Sequence, residues 1–190
     1  MAYGPDQILE GAGNSDYERY IRTVELLNLQ PKPETWKHRD ELLFTVVHQS
    51  SELWLKHCTA EAIQAVEHLK KDEIRPALRL FPRMLLAIKY CHDALDMLEQ
   101  MSPWDYQQVR RALGHGSGFD SPGMNSIRKA IPGLGVEFKR LLAKENLDLV
   151  VLKKLQLPQD KQPELKVWNE FLSKFKNPKH NYTKALINSK

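Results

Sequence analysis

The sequence lacks the features that mark several large classes of protein. No apolar run approaches the roughly 20 residues that span a bilayer, so we expect no membrane segment. The first ten residues have neither the basic region nor the apolar stretch of a secretory signal. The two cysteines, Cys58 and Cys91, stand apart without CxxC spacing. We therefore expect reduced thiols in a cytoplasmic protein, rather than a disulfide or a zinc site.

What is present has the composition of an ordinary globular chain. Hydrophobic residues make up 42% of the 190 residues, a fraction that excludes global disorder and a low-complexity scaffold. This length suits one domain with its own core, or one domain and an extension.

Charge is distributed unevenly along the chain. Residues 1–100 carry 12 basic and 16 acidic side chains, whereas residues 101–190 carry 16 and 8, a net charge of +8. A basic half-chain is compatible with nucleic acid or with an acidic partner. Its lysines, however, are spread at helix-like spacing, and no zinc-finger or RNA-binding motif accompanies them. We therefore favour a solvated helix surface over an adaptor that binds nucleic acid.

Apolar residues recur at the 3–4 spacing of helices along almost the whole chain, which predicts an all-α protein. Prolines and glycines divide this pattern, and Pro82 is expected to kink or break the helix that contains it. Residues 147–152 are equally compatible with a buried strand, and the polar tail from residue 177 is expected to fray. The predicted helices cover residues 16–29, 40–70, 73–100, 103–113, 134–145, 147–156 and 163–176, with loops at 30–35, 114–118, 121–123 and 132–133.

Phe44 and His48 lie four residues apart in the longest predicted helix, so they share one face of it. Val47, Ser51 and Leu55 extend this face into a largely apolar stripe. A histidine on such a stripe is either a core residue with one satisfied hydrogen bond or part of a ligand pocket. In a pocket, burial favours the neutral imidazole, which can donate or accept a proton.

Tyr106 and Arg110 share a face of a second helix, and Arg111 follows directly. One of the two arginines is expected to face inward, where it needs an anion because an unpaired buried charge is costly. The planar guanidinium suits a carboxylate, which can come from a ligand or from an Asp or Glu of the chain. The glycine-rich loop at residues 114–119 either lets the backbone approach a ligand closely or serves as a flexible turn.

Three blocks of the sequence resemble tryptophan 2,3-dioxygenases, in order and with that family's internal spacing. They are LLNLQP at residues 26–31, DELLFTVVHQSSELWLK at 40–56 and YQQVRRALGHGSGFDS at 106–121. The resemblance covers roughly residues 16–131. It implies an all-α helical bundle of the tryptophan and indoleamine 2,3-dioxygenase type, and an enzyme that uses heme and O2 to open the indole ring of L-tryptophan.

The resemblance also implies a role for each matching residue. His48 matches the distal histidine near the indole N–H, and Phe44 matches the aromatic residue that packs on the substrate. Arg110 matches the arginine that binds the substrate carboxylate, with Tyr106 one turn earlier. The remaining matches are Ser117 beside the heme pocket, Gly116 and Gly118 as cofactor-binding positions, and Tyr17 and Tyr20 as tyrosines that reach a neighbouring subunit's site in a homo-oligomer.

The resemblance fades towards the C-terminus. Asp120 replaces the family's usual Gln, and Met124 and Asn125 replace its Tyr-Arg pair. Beyond Gly133 neither the family's proximal heme histidine nor its closing loop has a match, which leaves His180 as a candidate axial ligand. We therefore divide the chain into a flexible N-terminus (1–15), a dioxygenase-like helical domain (16–131) and a divergent basic helical part (132–190).

Three arrangements are compatible with this division. The chain is a short family member whose iron takes its ligand elsewhere, one half of a two-chain enzyme, or a heme-free amino-acid-binding or regulatory protein that keeps the substrate pocket. We favour a heme-dependent oxygenase that acts on tryptophan or a related indole or aromatic amino acid.

Overall fold

The structure is a computed structural model and describes residues 9–144. This part of the chain contains six α-helices, two short 3-10 helices and no strand, which confirms the all-α prediction. None of its helices is long and apolar enough to cross a membrane. The helices predicted at 147–156 and 163–176, the alternative strand at 147–152 and the tail lie outside the described residues. The α-helices are α1 (Asp16–Ile21), α2 (Thr23–Leu26), α3 (Glu41–Lys70), α4 (Ile74–Leu98), α5 (Pro103–Ala112) and α6 (Pro122–Lys144).

The core of this part of the chain lies where α3 packs against both α4 and α6. The residues of α3 that belong to this core follow one another at alternating intervals of three and four, which places them along a single seam of the helix. In α6 the core residues are Ile127, Leu134 and Leu141, seven residues apart. On α3 they are Leu55, Cys58, Ala62, Ala65 and Leu69, and on α4 they are Ala77, Phe81, Met84 and Ala87.

Small side chains set how closely these helices approach each other. Ala62 and Ala65 of α3 and Ala77 of α4 have no exposed surface. Phe81 and Met84 of α4 are fully buried in the same cluster and supply much of its volume. Close packing at such an interface leaves little room for added methyl groups.

Two prolines lie inside helices instead of ending them. α6 runs through Pro132, so the predicted loop at 132–133 is wrong, and α4 runs through Pro82, so of the predicted kink or break the break is excluded. Proline lacks the N–H that would donate to the carbonyl four residues earlier in the helix. Both proline side chains are exposed, so water can hydrogen-bond to that carbonyl instead. The predicted loop at 121–123 is also wrong, because Pro122 is the first residue of α6, where proline fits.

The predicted helix at 16–29 is divided in two. Arg22 adopts a left-handed conformation with φ of 61°, which ends α1 and starts the shorter α2. Ser15 and Glu18 form a capping box at the start of α1. The segment before it is tied back, since the N–H of Gly11 donates to the carbonyl of Arg19 at 3.2 Å.

Charged side chains fix the far end of α6 to the turn between α3 and α4. Arg140 donates to the carbonyl of Leu69 at 2.5 Å and pairs with Asp72 at 3.0 Å. Lys144 also pairs with Asp72 at 2.5 Å. The hydrogen bond from Lys144, and to a lesser extent that from Arg140, lowers the pKa of the Asp72 carboxyl. Their contribution to stability is therefore present at neutral pH and is lost as the pH falls through the lowered pKa.

The close approach of α3 to its neighbours predicts different effects for one substitution at two positions. Ala62→Leu forces a larger side chain into the packed interface and is expected to lower the free energy of unfolding by about 1–3 kcal/mol. Ala60→Leu, on the exposed side of the same helix, should change it by less than about 0.5 kcal/mol. Urea denaturation followed by circular dichroism measures both, and equal effects would contradict the proposed packing.

Candidate functional site

The rings of Phe44 and His48 stack against each other on α3. Their centroids lie 4.1 Å apart and the planes are inclined by 31°. His48 Nδ1 lies 2.7 Å from the carbonyl oxygen of Phe44, four residues earlier. A carbonyl only accepts, so Nδ1 carries the proton of the neutral ring and Nε2 is an acceptor. Within residues 9–144 no group hydrogen-bonds to Nε2, which leaves this nitrogen free to bind a ligand N–H.

Tyr106 brings α5 into the same site. Its ring centroid lies 6.4 Å from that of Phe44, at an angle of 45°. Phe44, His48 and Tyr106 are all partly buried, so each ring still presents some surface to the outside. The three rings form an aromatic cluster with one free nitrogen acceptor, which is suited to a flat ligand that carries an N–H donor.

Arg110 lies one helical turn after Tyr106 and is partly buried, whereas Arg111 is exposed. The Nη1 of Arg110 donates to the carbonyl of Gly114 at 2.5 Å, a bond that satisfies a carbonyl just after the C-terminal end of α5. No carboxylate within the described residues pairs with Arg110, although a guanidinium carries five N–H donors. The other donors are therefore available for an anion, and a carboxylate can accept two of them in parallel.

The loop after α5 is folded by local hydrogen bonds. Gly114 has φ of 63°, a left-handed conformation that glycine adopts at low cost after a helix. Ser117 and Asp120 form a reciprocal pair around the short 3-10 helix Gly118–Asp120. Gly116 precedes this pair and Gly118 starts the helix. The hydroxyl of Ser117 accepts from the N–H of Phe119 at 3.3 Å, so in this structure it serves the loop.

Glu52 connects the site to the start of α6, a role that the sequence patterns did not reveal. It lies one turn after His48, and its carboxylate accepts from the hydroxyl of Ser121 and from the N–H of Gly123, the latter at 2.8 Å. The Ser121 hydroxyl in turn accepts from the N–H of Met124 at 3.0 Å. A carboxylate at this position accepts hydrogen bonds from free N–H groups at the start of the helix. The positive end of the helix dipole also stabilises its negative charge. The Ser-Pro pair before Gly123 was the available signal of a helix start, but nothing local identified Glu52 as its partner.

The other predicted site residues lie apart from this cluster. Tyr17 and Tyr20 of α1 are 69% and 72% exposed and contact none of the three site rings. Their proposed action on a neighbouring subunit stays a prediction. His180 lies outside the described residues.

The two cysteines are free thiols directed at backbone carbonyls. Cys58 lies 3.7 Å from the carbonyl of Met84, and Cys91 lies 3.6 Å from that of Ser51. Burial raises the pKa of Cys58 to about 12 and that of Cys91 to about 11. Both therefore remain protonated near neutral pH, a form that binds metal poorly.

An open groove of about 580 Å³ lies on the other side of α3. Its α3 residues, among them Val46, Gln49 and Leu53, face away from the stripe that carries Phe44 and His48. The remaining walls come from α2 and from the proline-containing segment that follows it, including Pro31 and Trp36. The groove and the aromatic cluster are thus separate features of one helix.

Comparison with known proteins identifies a family. The sequence model of tryptophan 2,3-dioxygenase matches residues 3–182, a longer stretch than the blocks at 16–131 indicated. Curated relatives with the same name include those of Erythrobacter litoralis, 40% identical over 56% of this chain, and Bacillus cereus, 34% identical over 62%. A third, from Saccharopolyspora erythraea, is 34% identical over 67%. The aligned parts make up 40%, 42% and 45% of these relatives, so the chain spans about two fifths of their length.

The contact between α3 and α6 predicts opposite effects for two glycine substitutions. A Cβ at Gly123 would lie 2.7 Å from both Glu52 Oε2 and Leu55 Cβ, so Gly123→Ala is expected to lower the free energy of unfolding by about 1–3 kcal/mol. A Cβ at Gly135, inside the same helix, meets nothing within 4 Å. Gly135→Ala should raise stability by about 0.5–1 kcal/mol. Chemical denaturation compares the two, and a Gly123 variant as stable as the Gly135 variant would contradict the clamp by Glu52.

Proposed function

Because the chain belongs to the tryptophan 2,3-dioxygenase family, we propose that it serves in the heme-dependent oxidative opening of the indole ring of L-tryptophan or a related aromatic amino acid. The observation that supports this most directly is the meeting of Phe44 and His48 with Tyr106, one turn from Arg110. These groups match the three parts of the substrate: a flat ring, a ring N–H and a carboxylate.

Each of these side chains has a distinct task in the proposed reaction. Phe44 and Tyr106 pack on the indole ring and exclude water from it. His48 accepts a hydrogen bond from the indole N–H through Nε2, the nitrogen that its bond to the Phe44 carbonyl leaves unprotonated. Arg110 binds the carboxylate through two parallel hydrogen bonds. Together they fix the ring relative to the oxidant, and such positioning accounts for a large share of the acceleration in comparable reactions.

The residues present fit one side of a heme. The free Nε2 of His48 and the aromatic rings beside it offer a polar point within an apolar surface, as a distal pocket requires. Gly116 and Gly118, in a loop without bulky side chains at those positions, would lie along the macrocycle. When bound, heme supplies the activation of O2, whose two oxygen atoms become the two new carbonyl oxygens as the C2–C3 bond breaks. His180 would be a candidate ligand of the heme iron.

We further propose that the protein acts as a homo-oligomer in which Tyr17 and Tyr20 complete a neighbouring subunit's substrate site. The high exposure of both tyrosines supports this, because large apolar rings on a short surface helix gain stability when a partner covers them.

Loss of the guanidinium of Arg110 should selectively weaken the binding of a carboxylate. Arg110→Ala is expected to reduce the affinity for L-tryptophan at least tenfold, since a charge-assisted hydrogen bond contributes about 1.5–3 kcal/mol. Affinity for tryptamine, which lacks the carboxylate, should change little, and Arg110→Lys should recover only part of the loss. Isothermal calorimetry measures all three affinities. The neighbouring variant Arg111→Ala is the control, and equal losses in the two alanine variants would remove Arg110 from this role.

Heme binding and substrate binding can be separated by their spectra. Heme titrated into the folded protein should give a shifted Soret band, and L-tryptophan should then shift that band further. His48→Ala should keep the first change and lose most of the second, because His48 is assigned to the substrate rather than to the iron. A folded wild-type chain without any Soret shift would contradict the heme part of the proposal, and an unaltered tryptophan response in the variant would contradict the role of His48.

A further inference from the structure

The segment before α3 presents His38 from a turn that several hydrogen bonds hold in place. The indole N–H of Trp36 donates to the carbonyl of Pro31 at 2.9 Å. Glu41, the one charged residue that is buried in the described part of the chain, accepts from the N–H groups of Lys37 and His38, the latter at 2.9 Å. The backbone around His38 is therefore fixed relative to the first turn of α3.

The hydrogen bonds of His38 also determine which of its two ring nitrogens is the acceptor. The N–H of Asp40 donates to His38 Nδ1 at 3.2 Å, so this nitrogen is an acceptor and Nε2 carries the proton of the neutral ring. Nε2 lies 3.3 Å from Oδ1 of Asp105, a residue of α5. The side chains of His38 and Asp105 are 23% and 34% exposed, so solvent screens this contact only partly.

Asp105 has a second function at the start of α5. Its N–H donates to the hydroxyl of Ser102 at 3.1 Å, and its Oδ2 accepts from that hydroxyl at 2.6 Å. One oxygen therefore belongs to the helix cap and the other faces His38. The carboxylate joins the first turn of α5 to the segment before α3.

Few other contacts hold α5 in place. Val109 is the only residue of α5 that is buried, and Tyr106 touches Phe44 at the edge of the site. Asp105 directly precedes Tyr106, and Arg110 follows one turn later. The rotation and the height of α5 relative to α3 therefore depend strongly on the contact between His38 and Asp105.

We propose that His38 is a positioning residue, which acts through Asp105 to place Tyr106 and Arg110 opposite Phe44 and His48. This inference rests on the proposed function, because its consequence is the recognition of the substrate's carboxylate by Arg110. His38 itself touches none of the three site rings or Arg110 in the described part of the chain.

Ligand discrimination provides the test. His38→Ala should weaken the binding of L-tryptophan about tenfold while tryptamine loses less than about threefold, because Arg110 is displaced whereas the ring contacts with Phe44 and His48 on α3 persist. His38→Gln places an amide N–H near the position of Nε2 and should restore most of the discrimination. Asp105→Ala removes the acceptor of the same contact, so its effect should not add to that of His38→Ala. His92→Ala on α4, where His92 is 60% exposed, is the control.

A role in stability alone would leave the discrimination between the two ligands unchanged. If His38 positions α5, hydrogen exchange of the amides in residues 106–112 should also increase in His38→Ala relative to His92→Ala. Unchanged exchange would overturn the proposal, and so would faster exchange with unchanged discrimination between the two ligands. If the wild-type chain binds neither ligand, the proposed function fails, and the exchange measurement alone then decides whether His38 holds α5.

Discussion

Close packing of α3 on α4 and α6 is the interaction on which the rest of the described structure depends. The seam from Leu55 to Leu69 occupies the C-terminal half of α3 and is closed by small side chains. Phe44, His48 and Glu52 project from the half that precedes it. The same helix therefore serves as the centre of the core at one end and as the carrier of the aromatic cluster at the other.

Two polar links then fix the first turns of α5 and α6. Glu52 holds the first turn of α6, and the contact between His38 and Asp105 holds the first turn of α5. In both cases a carboxylate lies at a helix N-terminus, where free N–H groups and the helix dipole favour negative charge. The loop that carries Ser117 runs between these two attachment points, so its ends are fixed although the loop itself is bonded mainly within itself.

The sequence was sufficient to predict what local physics determines. The long helix α3, and the shared faces of Phe44 with His48 and of Tyr106 with Arg110, follow from spacing rules. The roles assigned to those residues rest on the family resemblance. A break at Pro82 and a loop at Pro132 do not occur, because tertiary packing keeps both helices continuous and the cost of each proline falls on an exposed face. Glu52 and His38 could not be found, since their partners lie about 70 residues away in the chain.

Because α3 is long, a small tilt of the helix at the packed seam produces a much larger displacement of the residues at its other end. At a rise of about 1.5 Å per residue, the 14 residues between Ala62 in the packed seam and His48 in the aromatic cluster span roughly 21 Å. A tilt of the helix by about 3° at the seam would therefore carry the imidazole through roughly 1 Å, a displacement large enough to cost a reaction about two orders of magnitude in rate. A change of one methyl group at the interface with α4 can therefore displace His48, and the alanines that close this interface also determine the position of its imidazole.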